Sequence, residues 1–114
     1  MVDCTFCKII TGEIPGEIIH KDDKVVVFKD INPQGPVHLL LVPTKHIESI
    51  LDLSPEDKDS MGELMYRAKL VAKELGIDEK GFRFVINTGR NARQEIYHIH
   101  AHLIGGRRMT WPPG

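Results

Sequence analysis

The chain has 114 residues, 41% of them hydrophobic and 27% charged, which suits one domain with one core and argues against disorder. Its net charge of −1 supplies no overall basic field for nucleic acid. No apolar run is long enough to span a bilayer, and no basic segment leads into an apolar stretch at the N-terminus. Neither a membrane anchor nor a signal peptide is expected, and the chain is expected in the cytoplasm.

Cys4 to Ile10 reads as a short helix stopped by Gly12. Glu17 to His20 and Val25 to Lys29 read as strands of a hairpin around Lys21-Asp22-Asp23-Lys24, with His20 an ordinary hairpin residue. Asn32-Pro33-Gln34-Gly35-Pro36 is loop by composition, and Val37 to Val42 is an apolar strand stopped by Pro43. Ser54-Pro55-Glu56-Asp57 opens a long helix, with a capping serine, a proline in the first turn and acids at the positive end of the dipole. That helix is expected to reach Leu75 and to stop at Gly76. Met61, Leu64, Met65, Ala68, Val71, Ala72 and Leu75 form its core-facing stripe. Phe82 to Asn87 and Ile96 to Ile104 are the last two strands. The class is therefore α+β: a five-stranded antiparallel sheet with one long and one short helix, one sheet face covered and the other partly free for a ligand. One domain, residues 1–114, ends in a tail from residue 105.

The most informative stretch is His98-Ile99-His100-Ala101-His102. On a strand, alternation places all three imidazoles on one face and the apolar residues on the other. A row of histidines is costly to keep without chemistry, and histidine holds neutral or charged forms near neutral pH. The outer two would lie about 13 Å apart on a strand, too far to share one tetrahedral metal ion. A division of labour is expected instead, with His100 as a nucleophile and its neighbours orienting it or contacting the leaving group. Between Thr88 and Arg108 lie four arginines and a single acid, Glu95. This local excess suits a small anionic ligand, although each arginine also reads as a solvated surface group.

Cys4 and Cys7 form a C-x2-C pair and are the only cysteines. A reducing compartment disfavours a disulfide, and the βαβ context of a redox motif is missing. A zinc site would need two further ligands, for which histidines exist. Two half-buried thiols on a short helix is the remaining reading.

The His98-to-Ile104 run resembles the signature of the histidine-triad nucleotide hydrolases and transferases. Asp30-Ile31-Asn32-Pro33, His38 to Pro43, Lys45-His46-Ile47, Phe84 to Asn87, Gly105-Gly106-Arg107 and the ending Trp111-Pro112-Pro113-Gly114 resemble the purine nucleoside phosphoramidase branch, over nearly the whole chain. The resemblance implies a nucleotide hydrolase that cleaves purine nucleoside 5′-phosphoramidates and related conjugates at the α-phosphorus. His100 would take the nucleotidyl group, His102 would contact phosphate oxygens and the scissile bridge and assist water, and His38 would lie near His100 and set its tautomer. Asn87 and the loop from Gly89 to Gln94 would hold phosphate oxygens. Asp30 would bind the ribose hydroxyls, and Phe6, Ile9, Ile14, Phe28 and Ile31 would form the base pocket. A carboxylate suits a vicinal diol and an apolar slot suits a purine face, while Phe28 and Ile31 also read as plain core residues.

The resemblance further implies structural zinc on Cys4, Cys7, His46 and His98, and a homodimer made by joining two sheets, with each tail and its Trp111 reaching the partner's site. Relatives of this kind commonly carry glycine and serine where this chain has Arg93 and Glu95, which puts phosphate approach and leaving-group preference in question. A dinucleoside polyphosphate hydrolase, a nucleotide-binding scaffold with weak catalysis, and a hydrolase using the triad as metal ligands are the competing readings. The ending argues against the first of these.

Overall fold

In the computed structural model, which describes residues 4–114, the first helix, α1, spans Thr5–Thr11. The Cys4 sulfur accepts the Cys7 N–H at 3.4 Å at its start. Gly12, at φ +85°, turns its N–H back to the Ile9 carbonyl at its end. That left-handed cap is open to glycine at little cost. Strands β1 (Ile18–Lys21) and β2 (Val25–Lys29) form the expected hairpin. One Asp22 carboxylate oxygen accepts the N–H groups of Lys24 and Val25 at 2.8 Å each, which closes the turn. His20 bonds Asp22 at 2.6 Å and takes no further part.

β3 (Val37–Pro43) pairs with β2, and the sheet continues through β5 (Ala101–Gly105) to β4 (Phe82–Val85), giving the antiparallel order β1-β2-β3-β5-β4. β5 is thus inserted between β3 and the edge strand. The central strands are apolar at nearly every position because both sheet faces are covered. Val25, Val27, Leu39 and Leu41 pack under the long helix, while Val26, Phe28, Leu40 and Val42 pack under α1.

The long helix, α2, spans Lys58–Glu74. Ser54 and Pro55 begin a separate 3-10 turn, Pro55–Asp57, in which the Asp57 carboxylate accepts the Ser54 N–H at 2.9 Å. Leu64, Ala68, Val71 and Ala72 are buried and Met61 packs against them, but Met65 and Leu75 are 63% and 44% exposed and leave the expected stripe. Only the inner part of the stripe meets the sheet. Among the described residues, no helix is long and apolar enough to cross a membrane.

The largest departure lies in the histidine run. The strand expected over residues 96–104 covers only Ala101–Gly105, and β4 stops at Val85 rather than Asn87. His98 and His100 sit in irregular backbone before β5. There the Ile99 N–H leaves the ladder to bond the Ile47 carbonyl at 2.6 Å. The three imidazoles still lie on the α1 side, with the His98 and His100 rings both against Phe6 and the His100 and His102 centroids 5.1 Å apart, but only His102 belongs to the strand.

Candidate functional site

β3 and β5 place two histidines side by side. His38 pairs with Ile104 and Leu40 with His102, so His38 and His102 are diagonal neighbours on the α1 face. The segment before β5 adds His100, whose ring meets Phe6 edge-on with centroids 4.9 Å apart. Phe6 in turn meets Phe28 at 5.4 Å.

The hydrogen-bond network assigns the tautomers. A backbone amide only donates, and the Gln34 N–H lies 3.0 Å from His38 Nδ1, so that nitrogen accepts. Neutral His38 then carries its proton on Nε2, which donates to His102 Nδ1 at 2.9 Å, with Asp30 Oδ2 at 3.2 Å. His102 Nδ1 therefore accepts, and its own proton sits on Nε2. A carbonyl only accepts, so His100 Nδ1–H donates to the His98 carbonyl at 2.8 Å and the His100 Nε2 lone pair is free. His98 is the reverse case. Its Nε2–H donates to the Pro43 carbonyl at 2.8 Å, which frees Nδ1.

Burial favours the neutral forms on which this assignment depends. It lowers His100 and His38 below the usual histidine range. Burial, then the neighbouring His100 and His38, brings His102 to about 4.

These groups open onto a groove of about 1000 Å³. Phe6, Ile9 and Phe28 give it an apolar wall, Asp30, His38, His100 and His102 a polar floor, and Asn87 and Glu95 its far side. Asp30 Oδ1 is already engaged by the Asn32 N–H at 2.8 Å. Ile31 borders the groove but is fully exposed, so it is a rim residue rather than core. Ile14 packs half-buried against the α1-side core and does not line the groove.

Gly89, at φ +82°, and Gln94 do not line the groove, whereas Asn91 and Ala92 of the same loop do. The Gln94 side chain is 4% exposed and fully used inside the protein, accepting the Gly89 N–H and donating to the Glu48 and Ile96 carbonyls. Glu95 lies at the mouth, paired with Arg93 at 3.1 Å, and Arg93 holds a left-handed φ of +62°. Trp111 is 82% exposed with the Arg83 guanidinium 5.9 Å from its ring. Pro113 and Gly114 border the groove of their own chain. His38, expected beside His100, instead contacts His102.

Behind the groove, Cys4, Cys7, His46 and His98 bring one donor atom each to within 4.8 Å of one another. His98 Nδ1 lies 3.5 Å from both sulfurs, and His46 Nδ1 lies 3.4 Å from Cys7 and 3.2 Å from His98 Nδ1. Ligands of a tetrahedral zinc ion stand about 3.6 Å apart for sulfur–nitrogen pairs and about 3.3 Å for nitrogen pairs, so the four donors fit that ion. The Pro43 carbonyl bond supplies the outer support that fixes a ligating ring. Burial and the neighbouring Cys4 push the Cys7 thiol up to about 11, so a cation among the donors is what would hold it as thiolate.

The backbone groups of Gln34, Pro43 and Glu48 carry this geometry, and no residue type announces a carbonyl or an amide. Asn91 and Ala92 fall within the Gly89-to-Gln94 loop expected at the site, but residue type does not distinguish them from the two ends of that loop, which turn inward.

A family model for the HIT domain matches residues 11–109. A 14 kDa zinc-binding protein of Brassica juncea is 53% identical over 98% of this chain and all of its own. The adenylylsulfatase HINT1 of Arabidopsis thaliana is 54% identical over 96% of this chain and 75% of its own. Among solved structures, a HIT family hydrolase from Legionella pneumophila superposes with a TM-score of 0.96 at 47% identity, covering 98% of this chain and all of that one. A histidine triad nucleotide-binding protein from Candida albicans superposes with a TM-score of 0.83 at 31% identity, covering 98% and 85%. With a model matched along most of its length and relatives near half identity over almost all of it, the chain belongs to the HIT domain family.

Proposed function

We propose that this chain hydrolyses purine nucleoside 5′-phosphoramidates and related nucleotide conjugates through a nucleotidyl-His100 intermediate. The observation that carries this reading is the His100 Nδ1–H bond to the His98 carbonyl. It leaves an Nε2 lone pair on a ring kept neutral by burial, at the floor of a groove with one apolar and one polar wall.

In this reading the purine packs against Phe6, Ile9 and Phe28, with Ile31 at the rim and Ile14 supporting the wall. Asp30 takes the ribose hydroxyls, and Asn87 takes phosphate oxygens together with amides of the 89–94 loop other than those of Gly89, Arg93 and Gln94, which bond within the loop. The His100 Nε2 lone pair forms a bond to the α-phosphorus as the bond to the leaving amine breaks. His102 turns its Nε2–H toward that bridge. Its Nδ1 already accepts from His38, so complete loss of the Nε2 proton would leave an imidazolate. His102 therefore stabilises by donating a hydrogen bond, and the leaving nitrogen takes its proton from solvent. Water then displaces His100 from phosphorus and yields the nucleoside 5′-monophosphate.

Cys4, Cys7, His46 and His98 hold zinc in this reading, and the ion would cross-link α1 to the segments before and after the central strands without touching substrate. The protein acts in the cytoplasm as a homodimer, with Trp111 at the contact with the second copy.

Trapping radiolabelled nucleotide in a single turnover tests the assignment. Acid-labile label at His100 is expected, and absence of label from a protein that cleaves the substrate refutes it. Glu95 at the groove mouth favours a second reading, a nucleotide-binding protein with weak catalysis. Tight nucleotide binding without any label would establish that instead.

A further inference from the structure

The cysteine–histidine centre and the groove share two backbone connections. The first runs through His98. Its ring joins the centre while its carbonyl, in the same residue, accepts the His100 Nδ1–H at 2.8 Å. The second runs through the segment carrying His46. Two residues on, the Glu48 carbonyl accepts the Gln94 side-chain amide at 2.7 Å. Gln94 closes the phosphate loop at its base, since its N–H donates to the Gly89 carbonyl at 3.0 Å and its Oε1 accepts the Gly89 N–H at 3.1 Å. The ligand-bearing segments are also tied to each other by the Ile99-to-Ile47 bond.

Neither segment is held by regular secondary structure. His46 lies past the end of β3 and His98 lies before the start of β5. The His46 ring has no anchor beyond the centre, because its Nε2 is buried without a partner. What holds the four donors together thus also holds the carbonyl that orients His100 and the carbonyl that orients Gln94.

We propose that the Cys4/Cys7/His46/His98 centre is a positioning device for the reaction groove, setting the His100 tautomer through the His98 carbonyl and the phosphate loop through Gln94. Gln94 is on this view a positioning residue, not a phosphate ligand. The proposal rests on the nucleotidyl-His100 reading for its consequence, but the geometry it asserts can be measured without turnover.

The experiment compares zinc-loaded and chelated full-length protein by metal content, circular dichroism, histidine nitrogen NMR, amide exchange across residues 89–94 and affinity for AMP. Loaded protein should show His100 protonated on Nδ1 and a protected Gly89 amide. Chelated protein that keeps its secondary structure should lose the single His100 tautomer, exchange Gly89 faster, and bind AMP about 10-fold or more weakly, the size typical of losing outer support around a site.

Gln94→Glu gives an independent arm. It keeps an acceptor for the Gly89 N–H but sets oxygen against the Glu48 and Ile96 carbonyls. It should retain zinc and the His100 tautomer while loosening the loop and weakening AMP binding. Chelated, folded protein with the His100 signal, loop protection and AMP affinity unchanged overturns the proposal. Wholesale unfolding on chelation overturns the metal half by making the centre a support of the entire fold. Unchanged loop exchange in Gln94→Glu overturns the strut. If AMP does not bind even the loaded protein, the functional reading fails, while NMR and exchange still decide the coupling.

Discussion

Two clusters of histidine stand back to back in this molecule and differ in which nitrogen they leave free. His98 gives its Nε2–H to the Pro43 carbonyl and turns Nδ1 to two sulfurs in a closed setting. His100, two residues later, gives its Nδ1–H to the His98 carbonyl and turns Nε2 to an open groove. The side chains are identical. The position of one carbonyl oxygen decides which ring nitrogen is left free, and so separates the proposed metal ligand from the proposed nucleophile; both carbonyls come from irregular or strand-end backbone. His38 and His102 form a third arrangement, a neutral pair in which the Gln34 N–H fixes the proton of His38 and His38 in turn fixes that of His102.

The sharpest way to break this contrast is to remove one ring from each cluster. His100→Gly should lower phosphoramidate cleavage by at least about 10³-fold if the proposed nucleotidyl-His100 step is the route. AMP affinity should stay within a few-fold, because Asp30, Asn87 and the apolar wall remain. A variant that still cleaves within 10-fold of the parent would remove the distinction between the clusters; that threshold is about 1.4 kcal/mol of barrier.

Cys7→Ser strikes the other cluster. It removes one of the four donors without deleting any groove side chain, so loss of bound zinc and a melting temperature lower by about 10 °C or more are expected. Metal analysis with a thermal melt checks this. Full zinc occupancy in the variant would show that these four side chains are not the ligand set.

How far this contrast was legible beforehand depends on the element. The apolar alternation of Val25–Lys29 and Val37–Pro43, the proline-headed helix start and the Gly12 stop all act locally, and each reappears in the fold within a residue or a turn. His98 to His102 alternates as a strand would, yet half of it is irregular, because the Ile99 amide bonds Ile47 instead of a neighbouring strand. That bond depends on a residue 52 positions earlier, and period-two patterning carries no trace of it. The same limit explains His38. Its loop neighbour Gln34 decides its proton through a backbone amide, so the residue type was visible and the partner was not. Met65, with helical spacing but solvent around it, shows that a stripe marks a direction and not how far the sheet extends beneath it.

Acid should expose the neutral His38–His102 pair. His102 is held at about 4 in the folded chain against about 6.5 for an unperturbed histidine. A buried group with a lowered pKa leaves stability untouched above 6.5. Below that, the unfolded chain binds a proton that the folded chain refuses, so stability falls as pH drops from 6.5 toward 4. Denaturant titrations at pH 7 and pH 5 should show this fall, and His102→Gln should make it shallower. Since burial holds His98 at about 4 as well, the informative quantity is the difference between parent and variant. Equal pH dependence of the two would mean that His102 is not the neutral partner of His38.

The smallest effect belongs to the rim, where the Arg93–Glu95 pair is exposed on both sides and should add little to stability, about 0 to 1 kcal/mol. Its consequence lies in the reaction. Glu95 borders the groove that His100 faces, and a carboxylate there opposes a phosphate approaching the loop amides unless Arg93 holds it aside. Glu95→Ser removes that charge and supplies a hydroxyl able to donate to the leaving nitrogen. Turnover of a nucleoside phosphoramidate should rise about five-fold, as about 1 kcal/mol of relieved repulsion would give. Arg93→Gly should lower it, since an unpaired Glu95 is then free to turn inward, even though glycine relieves the left-handed backbone at that position. The double change should therefore resemble Glu95→Ser and not Arg93→Gly. A slower Glu95→Ser enzyme would mean that the carboxylate assists the departing amine, and the rim would join His100 and His102 as part of the reacting cluster instead of standing outside it.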